Sequence, residues 1–246
     1  MSSAAGFAET WAARAWNVFN EGRPFGVVYP PMAVAGALLV GALGAAGLGW
    51  GLLAGLALSL VWARFSFPLR GRALLWLLLA WLTLRFATHS IASNYAGESF
   101  LHVVNLVFHE AGHVLWAVFP RFFTVLGGSL TQVLVPIVCA IAFWRRGDRF
   151  GAAVGVWWAG QNLVDLAPYI NDARALELVL LGGRTGAEVE GHDWEYLLQA
   201  INRTTWDHGL ARLSHAAGLL VMLGALAYAA LELRRQYRDQ GARAAG

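Results

Sequence analysis

No charged residue interrupts the chain from Val27 to Ala63. That tract is too long for one membrane-spanning helix, which needs roughly 20 apolar residues. Its Gly-rich centre, Gly41 to Gly51, is the natural break, giving two short spans or a re-entrant hairpin. Further apolar segments follow at about 73–87, 100–119, 124–144, from 150 onward, and 210–233. Of the 246 residues, 58% are hydrophobic and only 13% charged. The charged share is about half that of a soluble domain, so the excess apolar surface must face lipid. The runs are continuous rather than alternating, which argues against a transmembrane barrel. Composition excludes disorder and collagen, and the single Cys139 excludes a disulfide scaffold. The fold expected is an all-α, polytopic transmembrane helical bundle of six or seven spans.

Three regions follow from this pattern. Residues 1–26 carry Glu9, Arg14, Glu21 and Arg23, which rule out a signal peptide. Phe7, Trp11, Val18 and Phe19 recur at helical spacing, as in a helix lying on the membrane surface. Residues 27–233 form the transmembrane domain, with its core at 100–175 and an acidic, extramembrane loop at 182–208. Residues 234–246 are a basic tail. All 18 basic residues are Arg, a bias that suggests a GC-rich bacterial genome and hence the bacterial inner membrane. These Arg sit at segment ends, as flanking charges do, and do not argue for nucleic acid. Simple counting of crossings places the clusters at 145–149 and 234–243 on one side and that at 64–72 on the other. One segment is therefore re-entrant or the count is off, and the polar segment at 100–119 is the best suspect.

That segment contains His109-Glu110-Ala111-Gly112-His113, an H-E-x-x-H sequence. Two His four apart stand one turn above each other on a helix, so both can reach one Zn²⁺. Glu110 beside them can take a proton from water and pass it to a leaving group. Composition alone yields roughly 0.007 such matches in this chain, so chance is a poor account of it. Ionisable residues each cost about 2.5 kcal/mol or more near the centre of a span. Three within five residues ask for a metal, a water-filled cavity or an interfacial position. His102 shares the face as a polar neighbour, and Asn105, one turn before His109, is placed to steady that ring.

The segment beginning at Phe150 supplies a second polar group. Asn162, Asp165, Tyr169 and Asp172 share one helix face. Such a stripe faces a cavity or marks the helix leaving the membrane. Pro168 frees a backbone carbonyl there. Asn162 or Tyr169 can donate to a transition-state oxyanion. His192-Asp193-Trp194 reads either as a helix start, with Asp193 as N-cap, or as a ligand, His192, folding back over the metal. Gln132, after Gly127-Gly128-Ser129, is a substrate contact or a helix–helix polar contact.

The H-E-x-x-H in an apolar helix, the Gly-Gly entrance to the next segment and the Asn162…Pro168…Asp172 stretch resemble the site-2 protease family of intramembrane zinc metalloproteases. The resemblance covers about residues 100–175. It implies Asp172 as the third zinc ligand and Asn162 as a substrate-orienting residue. Ala173 stands where that family usually has Gly, Asn171 where it has Leu, and the Asn-to-Pro spacing is longer. The function expected is a zinc peptidase acting on membrane-associated peptide or protein substrates. The alternatives are a zinc hydrolase of lipid amides or esters, and a metal transporter. Asp172 and His192 remain competing third ligands.

Overall fold

The computed structural model describes residues 69–181 and 183–245. The expected surface helix at 1–26 and the tract at 27–63 lie outside the described residues. Within them the regular structure is helical: α1 (Leu69–Thr88), α2 (Phe100–Leu115), α3 (Arg121–Arg145), α4 (Arg149–Asn171), α5 (Asp193–Ala200) and α6 (Asp207–Ala245). Three stretches are long and apolar enough to cross a membrane: α1, α3 and Thr204–Ala242, which contains most of α6. That is compatible with a membrane protein.

Local chemistry sets the helix ends. The Ser99 hydroxyl accepts the His102 N–H and starts α2. The sequence suggests that this helix reaches Phe119, but it stops at Leu115. Thr124 Oγ1 bonds the carbonyls of Trp116 and Phe119, and Pro120 bars its predecessor from helical geometry. Asp148 caps α4 by accepting the Gly151 N–H at 3.0 Å. The last helix does not stop at Leu233: the basic tail continues α6 to Ala245.

Helix α4 is the centre of the bundle, buried along most of its length. It packs along α6 in reverse direction, pairing Arg149 with Tyr228, Leu163 with Ser214 and Asn171 with His208. The backbones nearly touch: a Cβ on Gly160 would lie 2.8 Å from the Gly218 carbonyl oxygen. Helix α3 is antiparallel to α4, with Ala140 against Gly155 and Gln132 against Asp165. Helix α1 is antiparallel to α6, as Arg72 meets Gln236 and Trp76 donates to the Leu226 carbonyl. Exposed Leu74, Leu77, Trp81, Val138, Leu220 and Leu223 line the outside.

These pairings gather the Arg clusters. Arg72 lies 3.3 Å from both Asp148 and Gln236. The start of α1, the α3–α4 turn and the C-terminal part of α6 therefore share one end. Helices α1 and α3 have their other termini, Thr88 and Arg121, at the opposite end. Helix α2 connects those two termini, so it leaves from and returns to the same end without completing a crossing. In this packing Arg70 and Arg72 lie at the same end of the bundle as Arg145 and Arg146, where counting α2 as a crossing had separated them.

Candidate metal centre

Helical spacing brings the His109 and His113 rings together edge to face, with centroids 4.9 Å apart. The tautomer of each ring follows from its partner. Gln132 Nε2 donates to Asp165 Oδ2 at 3.0 Å, which turns its carbonyl oxygen toward His109. His109 Nδ1, 2.9 Å from that oxygen, must then be the donor. His113 Nδ1 donates to the Thr124 carbonyl at 3.0 Å. With both Nδ1 atoms protonated, neutral rings present lone pairs at Nε2. Both Nε2 atoms converge on one oxygen, Asp193 Oδ2, at 2.8 and 3.2 Å. In that state the three atoms leave a place for a cation among them; in the protonated state the rings donate to the carboxylate instead.

The three ligand atoms lie within 4.8 Å of one another. Gly128 leaves the room: a Cβ there would sit 2.6 Å from His113 Nε2 and 2.7 Å from His109 Nε2. Two imidazoles and one carboxylate are a donor set that Zn²⁺ and Fe²⁺ both accept, with coordination positions left for water or substrate. The residues present therefore fit a resident metal.

The side chain that joins the His pair is thus Asp193, rather than Asp172 or His192. Asp172 ends α4 and accepts the N–H groups of Glu177 and Leu178 at 2.9 and 3.0 Å. His192, not Asp193, is the N-cap of α5: its Nδ1 accepts the Glu195 N–H, and its Nε2 lies 3.4 Å from Asp172 Oδ2. Asp172 and His192 together hold the loop that delivers Asp193. Arg121 over the Tyr196 ring, at 4.7 Å, pins α5 to the start of α3.

Tyr169 reaches the centre. Its hydroxyl oxygen accepts the Asp193 N–H at 2.8 Å, which leaves its own proton to donate, and its ring centroid is 6.1 Å from that of His109. Glu110 is half-buried beside the two His and makes no hydrogen bond or ion pair among the described residues. Asn162 is not brought to the ligands; its amide bonds back to the Trp158 carbonyl on its own helix. Asn105 does not steady His109 either. It donates to Gln161 and Asp165 and accepts from Trp158. That task falls to Gln132. Asp165, fully enclosed, also receives His102 Nδ1 at 3.1 Å and so ties α2, α3 and α4 together. The sequence did not single out Asp193 as the partner of the His pair or Asp165 as the hub. The only signal for Asp193 was its place beside His192, the residue already weighed for that role.

Fold and site together define a helical protein with membrane-compatible helices and a buried His-His-Asp group. No family model, curated protein or solved structure matches the chain.

Proposed function

We propose that this chain is a membrane-embedded zinc metallohydrolase, and that its reaction is peptide-bond hydrolysis in membrane-associated substrates. The observation that carries this reading is the convergence of His109 Nε2, His113 Nε2 and Asp193 Oδ2, with both Nδ1 atoms engaged elsewhere. These three residues would hold the ion. When bound, zinc supplies a Lewis acid and makes water acidic enough to ionise near neutral pH. Glu110 takes the proton from the attacking water and returns it to the leaving amine. Tyr169, with its hydroxyl proton unspent, donates to the developing oxyanion. Gln132 and Thr124 fix the two rings so that their Nε2 atoms face inward.

Glu110 favours hydrolysis over other uses of a two-His, one-carboxylate site, because it places a base next to the ligands without being one of them. Only one such ligand group occurs among the described residues, which supports a catalytic centre over a transport path. Counting the two apolar halves of residues 27–63, with α2 as a re-entrant segment, gives six or seven membrane segments in a bacterial inner membrane. The site-2 protease resemblance extends to the H-E-x-x-H helix and the helix pair after it. The proposed ligand set departs from the Asp172 that the resemblance implies.

The test is turnover on a panel of fluorogenic peptides and lipid amides, with Glu110→Gln as the control. Peptide cleavage should fall at least roughly 100-fold in that variant while bound metal is unchanged. Undiminished cleavage by Glu110→Gln would reject the mechanism, and cleavage of lipid amides alone would reassign the substrate.

A further inference from the structure

The ends of the bundle differ in charge, and the metal site belongs to only one of them. Arg70, Arg72, Arg145, Arg146, Arg234 and Arg238 collect where α1 begins, α3 turns into α4 and α6 finishes. The short connectors at the other end, 89–99 and 116–120, contain no Arg. The long connector there carries Glu177, Glu188, Glu190 and Glu195 against Arg174, Arg184 and Arg203, with Arg174 bound to Asp207 at 2.6 Å, and the helix ends around it add only Arg85, Arg121 and Arg212. Arg and Lys next to membrane segments mark the cytoplasmic side. The three Arg clusters now agree on that side, because α2 turns back instead of crossing.

We infer that the metal centre opens on the extracytoplasmic face of the membrane, and that its substrate is a polypeptide segment presented from outside. Every element that builds the centre belongs to that end. His113 bonds the first turn of α3, three residues from its start at Arg121. Asp193 opens α5 where the loop after α4 ends, and Tyr169 lies in the last turn of α4. Beside the motif, α2 exposes Phe100, Val103, Val107 and Leu115. A helix that enters from one side and returns exposes such a face to lipid in that half of the bilayer. A segment lying at the outer membrane–water boundary would therefore meet Glu110 without passing through the membrane. The substrate part of this inference rests on the hydrolase reading; the orientation rests on the Arg clusters alone.

Two single-cysteine variants of the full chain test it in a Cys139→Ser background. Ala187→Cys lies exposed in the loop before α5, and Gln240→Cys lies exposed near the end of α6. In spheroplasts, a membrane-impermeant maleimide should label Ala187→Cys and should label Gln240→Cys only after lysis. The opposite pattern would overturn the orientation. A second arm treats sealed vesicles containing zinc-loaded protein with an impermeant chelator. Zinc should leave right-side-out vesicles and stay in inside-out ones; loss only from inside-out vesicles would overturn the inference. Protein that never holds zinc would remove the hydrolase reading and the substrate with it, while maleimide labelling still decides the orientation.

Discussion

At the scale of single residues, the centre is built as much by what is missing as by what is present. Gly128 supplies space at the two Nε2 atoms that no other residue can leave. Gly128→Ala should favour the α3 helix by about 1 kcal/mol on propensity, yet abolish metal retention. Circular dichroism and metal analysis on the same sample separate the two effects; full metal content in the variant would show that the space is not used. Gln132→Leu removes the acceptor that fixes His109. Partners of this kind are worth roughly 10- to 100-fold in metal affinity, and chelator competition should show a loss of that size. The His pair and Glu110 were legible in the sequence because their geometry is local, set by one turn of helix. Asp193 was not, because its approach to the pair depends on a loop between α4 and α5 that no periodicity describes.

At the scale of elements, the loop after α4 decides whether Asp193 reaches the His pair. Asp172 holds two N–H groups of that loop and faces His192, the cap of α5. Asp172→Ala strands those donors, which should cost about 1–3 kcal/mol, with partial loss of metal because α5 is loosened. Asp193→Ala should show the reverse, full loss of metal with a small change in the melting temperature of metal-free protein. If Asp172→Ala loses all metal with no change in that melting temperature, Asp172 is a ligand after all. The site-2 protease resemblance pointed to Asp172, and spacing put it on one face with Asn162, Asp165 and Tyr169. That stripe is real in part: Asp165 and Tyr169 face inward to α2 and α5, whereas Asn162 bonds its own backbone. Helix types were legible from apolar runs. The end of α2 was not, because it is set by Thr124, a residue of the next helix.

At the scale of the molecule, α4 is held by its closest neighbour through glycine. With the Gly160 Cβ position only 2.8 Å from the Gly218 carbonyl oxygen, Gly160→Leu must force α4 and α6 apart. Overpacking of this kind costs about 1–3 kcal/mol, visible as a lower melting temperature in detergent; an unchanged value would show that the seam yields freely. The charge pattern could be read from the sequence only as a contradiction, since crossings were counted without knowing that α2 turns back. The proposed function requires that His109, His113 and Asp193 hold one catalytic zinc. Its most direct test is elemental analysis of the purified full chain. About one zinc per chain is predicted, kept in Glu110→Gln and lost in His109→Ala and Asp193→Ala. Iron in place of zinc, or full zinc content in Asp193→Ala, would contradict it.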